Sequence, residues 1–226
     1  MPLVFFDIDG TLIQSRFHIW KGLMAYYRAH KRKQGVHWAF LGTHYPLYGL
    51  RKAGLISERA FRHRWTADLG WYLRGESVAA VDEVGKWVAE TYLAPAWRPE
   101  TLSRLQAHLE AGDVVTLVSA APLPLVQAIA RHLGVPHAVG THFAVRNDRY
   151  TGRVVPPVAL AEQKLTLARA HFTALGLPFD LAGSRAYADS ITDLPLLEAV
   201  ERPVAVFPDE DLRRVAVQRG WEIIVA

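Results

Sequence analysis

Apolar and polar positions divide the chain into two regimes. Leu3-Val4-Phe5-Phe6 is a short continuous apolar run, the pattern of a strand buried on both faces, and it stops abruptly at Asp7-Ile8-Asp9-Gly10-Thr11. From Arg98 onward, helical stretches alternate with short apolar runs. A helical stretch ends at Gly112, Val114 to Val118 reads as a strand, Leu123 to Leu133 as a helix, and Val139 to Val145 as a strand. Asn147-Asp148 with Gly152 marks a hairpin turn between Phe143-Ala144-Val145 and Arg153-Val154-Val155. Helical periodicity resumes over Ala159 to Leu175. A strand at Arg185 to Ala188, a helix at Leu194 to Val200, a strand at Val204 to Phe207 and a last helix follow, with Trp221 to Val225 closing the chain.

The stretch from about Ser15 to Ala94 lacks strand alternation and shows helical spacing instead, as in Trp20, Leu23, Met24, Tyr27 and in Phe61, Trp65, Leu69. The whole pattern predicts an α/β fold: a doubly wound parallel sheet with helices on both faces, carrying a helical insertion after its first strand. The expected division is a core of residues 1–14 and 96–226 and an inserted unit of residues 15–95. Ligands of such sheets bind at the carboxyl ends of the strands.

Composition sharpens the division. The net charge of +4 hides an asymmetry, because Leu12 to Pro95 holds 13 Lys+Arg against 6 Asp+Glu and the remainder 13 against 16. The same segment carries 14 of the 24 aromatic residues, including Trp20, Tyr26, Tyr27, Trp38, Trp65 and Trp71. With no cysteine, thiolate nucleophiles, disulfides, zinc–thiolate sites and iron–sulfur clusters are excluded. The ten histidines show no metal-binding spacing and read as surface or satisfied core residues. No stretch reaches the roughly 20 apolar residues of a membrane span, and no secretory pattern opens the chain, so a cytoplasmic protein is expected.

Asp7 and Asp9 stand two residues apart at the mouth of the first strand, so in a continued extended strand their carboxylates share a side. Alone, this is also ordinary turn chemistry. A second acidic pair, Asp189 and Asp193, again follows a predicted strand, where aspartate and serine also serve as helix caps. Two such pairs at two strand ends of one parallel sheet converge on one edge, an oxygen-rich site suited to magnesium rather than zinc. Between them in sequence lie Ser119, at the end of the strand from Val114, and Lys164, at the opening of a helix. Each of these two alone reads as a turn residue or a solvated charge.

Taken in order, Asp7-Ile8-Asp9-Gly10-Thr11, Ser119-Ala120-Ala121, Lys164 and Asp189-Ser190-Ile191-Thr192-Asp193 resemble the four motifs of the haloacid dehalogenase-like (HAD) hydrolase superfamily, and the match spans nearly the whole chain. The insertion after the first motif, Tyr150-Thr151-Gly152 and the run from Asp189 to Glu198 resemble subfamily IB, the relatives of phosphoserine phosphatase, in which a helical cap covers a Rossmann-like core.

The resemblance implies a magnesium-dependent phosphatase acting on a small phosphorylated metabolite. Asp7 would be the nucleophile that becomes an aspartyl phosphate, and Asp9 the acid–base that protonates the departing alkoxide and then activates water. Magnesium would be held by Asp7, the Asp9 carbonyl and Asp189, with Asp193 orienting bound water. Lys164, Thr11, Ser119 and the backbone at Ala120 would bind the phosphoryl group.

Two departures from the family stand out. Ala121-Pro122 follows the second motif where a small polar residue is common, and Arg16 occupies the position where phosphoserine phosphatases carry a glutamate for the substrate amine, which disfavours phosphoserine. The basic, aromatic cap suits an anionic or ring-bearing substrate, although solvated charges and cap-core aromatics account for the same composition. A phosphotransferase using the same intermediate is the alternative. A module gripping nucleic acid or an anionic membrane is weaker, since acids at the sheet edge repel polyanions; no nucleic-acid partner and no membrane insertion are expected.

Overall fold

The computed structural model describes residues 1–225. Leu3–Phe6 forms strand β1, and all four of its side chains are buried. A helical segment follows: α1 (Ile19–Ala29), α2 (Gln34–Lys52), α3 (Glu58–Asp68), α4 (Gly70–Leu73) and α5 (Val78–Trp87), the last continued by a π-helical turn at Val88–Tyr92. Ser57 and Ser77 open α3 and α5 by accepting the N–H groups of Ala60 and Ala80, which the helices themselves leave without partners. The chain then runs through α6 (Pro99–Glu110), β2 (Val114–Pro122), α7 (Leu123–His132), β3 (His137–Thr141), β4 (Phe143–Arg146), β5 (Arg149–Val154) and α8 (Glu162–Ala174). It ends with β6 (Arg185–Ala188), a 3-10 turn at Ile191–Asp193, α9 (Leu194–Ala199), β7 (Arg202–Val206), α10 (Glu210–Arg219) and β8 (Glu222–Ile224).

Six strands pair in parallel in the order β3-β2-β1-β6-β7-β8. The order reverses between β1 and β6, and a doubly wound sheet opens its ligand crevice at the carboxyl ends of such a pair. Period-two alternation sorts the two faces. Val4 and Phe6 join Leu105 of α6 and Leu125 and Ile129 of α7 in one core, whereas Leu3 and Phe5 join Ala168, Phe172, Leu196 and Leu212 of α8, α9 and α10 in the other.

The helical segment shares the first of these cores through Ile19, Leu23, Tyr27, Phe40, Tyr72 and Val84. It leaves and rejoins the sheet along paired backbone: Gln14 N–H donates to Ala96 O and Arg98 N–H to Leu12 O, both at 2.9 Å. A second tie comes from the β4–β5 hairpin, where Tyr150 N–H donates to Glu76 O at 2.9 Å and Gly75 N–H to Tyr150 O at 2.8 Å. Gly70 and Gly152 permit this approach, since a Cβ on Gly70 would stand 2.2 Å from the Gly152 carbonyl oxygen.

Several local readings change. The apolar stretch from Val139 to Val145 is two strands in two sheets, because the chain turns at His142 and Phe143 leaves the parallel sheet for the hairpin. Asn147 and Asp148 do make the two-residue turn, both at positive φ (50° and 59°), but the return strand starts at once at Arg149. Helix α8 begins at Glu162 rather than Ala159, and Glu222–Ile224 near the chain end adds an edge strand beside β7. Among the described residues no helix is long and apolar enough to cross a membrane.

Candidate active site

Asp7 continues the pairing of β1 by one bond, from its N–H to Tyr187 O at 2.9 Å; the N–H groups of Thr11, Leu12 and Ile13 then converge on Ile8 O and end the strand. The buried Asp7 carboxylate accepts from Lys164 Nζ at Oδ1, 2.7 Å, and from the Thr11 hydroxyl at Oδ2, 3.3 Å. Lys164 is itself buried and lies 2.7 Å from Oδ1 of Asp193, an ion pair without hydrogen-bond alignment. Asp189 follows β6 and presses against Gly10, where a Cβ would lie 1.9 Å from Asp189 Oδ2; the φ of +89° at that glycine is a second reason for its identity.

One ligand oxygen from each of Asp7, Asp189 and Asp193 falls within 4.8 Å of the others. Three carboxylates therefore face one ammonium. Burial pushes the Asp7 carboxyl up to about 7; Lys164 opposes the shift, and the charges of Asp193 and Asp9 reinforce it. Burial followed by the charges of Asp7 and Asp193 holds the Asp189 carboxyl well above the usual range. Burial alone would lower the Lys164 ammonium, but Asp193 and Asp7 outweigh it and keep the lysine charged. An all-oxygen donor set with uncompensated negative charge fits a hard divalent cation such as magnesium.

Asp9 takes different partners. Its Oδ1 accepts the Ile19 N–H at 2.8 Å, the first turn of α1, and lies 3.7 Å from His18 Nδ1. The strand does not stay extended past Asp7, so the two carboxylates of the motif are separated into a buried, lysine-paired group and a half-exposed one facing the helical segment. Beside Asp9 opens a cavity of 610 Å³, floored by Ala120, Ala121 and Leu160 and walled by α1, α2 and α3.

Ser119, Ala120 and Ala121 lie in an irregularity of β2. Its pairing with β3 is regular to Val118↔Val139 and resumes only at Pro122↔Thr141, so two extra residues bulge out on the β2 side. The register Phe6↔Leu117 sets this bulge beside the end of β1. Ser119 Oγ accepts from Ala121 N–H at 3.1 Å, which leaves its hydroxyl proton for another acceptor. Both donors of Thr11 are engaged within the motif, the hydroxyl with Asp7 and the N–H with Ile8 O.

A family model for haloacid dehalogenase-like hydrolases matches residues 4–198. The chain belongs to this family. Among relatives of this HAD hydrolase, the Mycobacterium tuberculosis protein called phosphoserine phosphatase SerB1 is 33% identical over 222 residues, covering 97% of the present chain and 69% of its own length. A histidinol-phosphatase of Neisseria meningitidis is 27% identical, covering 98% and 97%. A crystal structure of a protein of unknown function from Bordetella pertussis superposes with a TM-score of 0.83 at 27% identity, covering 99% of this chain and 98% of that one.

Two further residues brace the candidate site. Asp209 caps α10 through Leu212 N–H at 2.8 Å and with its other oxygen accepts Ile191 N–H at 2.9 Å, while its own N–H donates to Asp189 O, so one aspartate anchors the loop from 189 to 193. Its place before Glu210-Asp211 and buried Leu212 is a helix-start signal. Thr141 Oγ1 donates to Ala120 O at 2.6 Å and accepts from Ala159 N–H at 3.1 Å, tying the β2 bulge to the loop before Lys164. No sequence pattern marks it. Among the histidines, His44 is buried, with Nδ1 bonded to Phe40 O and Nε2 3.2 Å from Asp68 without a hydrogen bond, and half-buried His108 is bonded to Asp113 and Tyr187.

Proposed function

We propose that this HAD hydrolase cleaves a small phosphate monoester through an aspartyl-phosphate intermediate on Asp7, with residues 15–95 acting as a cap over the carboxyl ends of the sheet. The observation that carries the reading is the pairing of the buried Asp7 carboxylate with Lys164 inside a cluster of carboxylates, next to a second carboxylate, Asp9, that borders a cavity. Magnesium held by Asp7, Asp189 and the Asp9 carbonyl, with Asp193 beside it, would supply positive charge against the phosphate dianion.

Asp7 attacks phosphorus; the bond from phosphorus to the ester oxygen breaks as the bond to the Asp7 carboxylate forms. Asp9 gives its proton to the departing alkoxide and later removes one from the water that hydrolyses the acyl phosphate, so that it ends the cycle protonated again. Two carboxylates in unlike surroundings suit this division of labour. Lys164 neutralises charge on the nucleophile and the phosphoryl oxygens, and the Ser119 hydroxyl with the backbone of the bulge donates to them. Thr11 holds the attacking carboxylate in place. The relatives called phosphatases support the reaction class.

The deciding experiment is hydrolysis of an aryl phosphate with and without magnesium, for the wild type and for Asp7→Asn, together with acid-quench trapping of labelled phosphate on the protein. Turnover that needs both magnesium and Asp7, with label recovered at Asp7, is expected. Turnover surviving in Asp7→Asn removes Asp7 as nucleophile.

A further inference from the structure

The cavity beside Asp9 has walls of a particular chemistry. If Asp9 hands its proton to the leaving oxygen, as proposed above, the alcohol of the substrate must lie on the Asp9 side, in this space. A cavity of 610 Å³ is far larger than a three-carbon alcohol fills and lies in the range that takes ring-bearing ligands. Its walls are aromatic: Trp20 and Trp65 meet edge to face with centroids 4.9 Å apart, Phe61 adjoins Trp65 at 5.4 Å, and Tyr48 adjoins Phe61 at 6.1 Å. Such faces favour a planar ring over a hydrated polar chain.

The charged groups on the same walls narrow the class further. Glu58 accepts from both Arg51 and Arg62, which hold its carboxyl below the usual range against the effect of burial. Two guanidiniums against one carboxylate leave a net positive charge at that end, and the Arg51 guanidinium also lies 4.9 Å from the centre of the Tyr48 ring. An ammonium group entering here meets like charge, and Glu58 is already occupied. Arg16 is exposed and is not part of the wall. We infer that the substrate is a phosphate monoester whose alcohol carries a planar ring without an ammonium group, the ring lying among Trp20, Phe61 and Trp65 with its far edge toward Arg51 and Arg62.

The test compares three phosphate esters of primary alcohols, so that leaving-group reactivity is nearly matched: 2-phenylethyl phosphate, propyl phosphate and O-phosphoserine. The ring ester is expected to exceed propyl phosphate in kcat/KM by about tenfold or more, and O-phosphoserine to fall below both. The ratio of ring to propyl ester is expected to drop at least about fivefold in Phe61→Ala and in Trp65→Leu and to return in Trp65→Phe, which a general loss of folding does not produce. Equal kcat/KM for ring and propyl esters, or a preference for O-phosphoserine, overturns the inference. Should no ester turn over, the phosphatase reading fails separately, and the pocket is judged by tryptophan fluorescence of Asp7→Asn titrated with the two neutral-chain esters. Binding of the ring ester about tenfold tighter upholds the pocket; equal binding removes it.

Discussion

Lys164 donates from Nζ to Oδ1 of Asp7 across 2.7 Å, and both side chains are almost completely buried. A charge in such a place is tolerable only with its partner present, and Lys164 serves Asp193 at the same distance as well. Replacing Lys164 with Met leaves buried carboxylates facing one another. The expected result is a loss of about 3–5 kcal/mol in stability and a fall in kcat of at least about 10²-fold, the scale of removing one donor from a charged transition state. Chemical denaturation and kinetics with an aryl phosphate check both. A Met variant as stable as the wild type contradicts the geometry.

The same crowding makes the metal-free protein sensitive to pH. Asp7 titrates at about 7 in the folded chain against 3.8 for the ordinary carboxyl, so between those values the folded state binds more protons than the unfolded one. Stability must then fall as pH rises through that window. Asp189, shifted in the same direction, adds to the slope. With chelator present, Tm is expected to decrease from pH 4 toward pH 7, in the part that differs between wild type and Asp7→Asn. The increase in Tm on adding magnesium should grow across the same interval, because the cation binds the deprotonated cluster. A magnesium effect independent of pH argues against these carboxylates as ligands.

Gly10 sets the position of Asp189. A methyl group there would overlap Asp189 Oδ2, and the backbone conformation at φ +89° resists any side chain. Gly10→Ala is therefore expected to displace the carboxylate and weaken magnesium binding by about 10–100-fold, the range seen when the surroundings of a metal ligand are disturbed. Calorimetric titration with magnesium measures it. Unchanged affinity would mean that Asp189 does not hold the ion.

Asp7, Asp189 and the parallel sheet were legible because each acid directly follows a predicted strand, wholly apolar in Leu3–Phe6 and opened by an arginine in Arg185–Ala188. Ser119 was legible only as a strand end; the two-residue bulge that presents it depends on pairing with β3, which no local pattern encodes. The helical segment was legible in period, not in rotation. Tyr27, Phe40 and Tyr72 went into its core, as the bland reading of the aromatics requires, while Trp20, Tyr48, Phe61 and Trp65 went to the cavity. The basic residues divide likewise: Arg28 and Lys31 stay at the surface, and Arg51 and Arg62 pair with Glu58 on the wall. Helical spacing places all of these residues on helices, and only the angles between helices decide which face meets the sheet.

Thr141 offers a case where structure ties two site segments together without any signal in the sequence. Its hydroxyl joins Ala120 O to Ala159 N–H, so it links the β2 bulge to the segment that leads into Lys164. Thr141→Val keeps the shape and removes both bonds. A cost of about 1–3 kcal/mol is expected from leaving buried polar groups unpaired. Because the bulge and Lys164 are both assigned to the phosphoryl group, kcat should fall more than KM rises. An unchanged kcat would separate Thr141 from the chemistry and leave it a purely structural bond.

At Ala161 the expected change is a gain. It sits immediately before α8 with φ 53° and ψ −127°, a conformation that a residue with a Cβ adopts at a cost of about 1–3 kcal/mol. The strained residue is held from both sides: Ala159 N–H is bonded to Thr141, and Lys164 N–H returns to Ala161 O at 3.1 Å. The strain lets the chain turn into the helix within one residue and bring Lys164 to Asp7. Glycine adopts the same angles freely, although it also loosens the unfolded chain by about 0.4–1 kcal/mol. The difference leaves Ala161→Gly about 1 kcal/mol more stable. Thermal unfolding at fixed pH and magnesium decides it, and a lower Tm for the variant would mean that the turn before Lys164 is not strained as described.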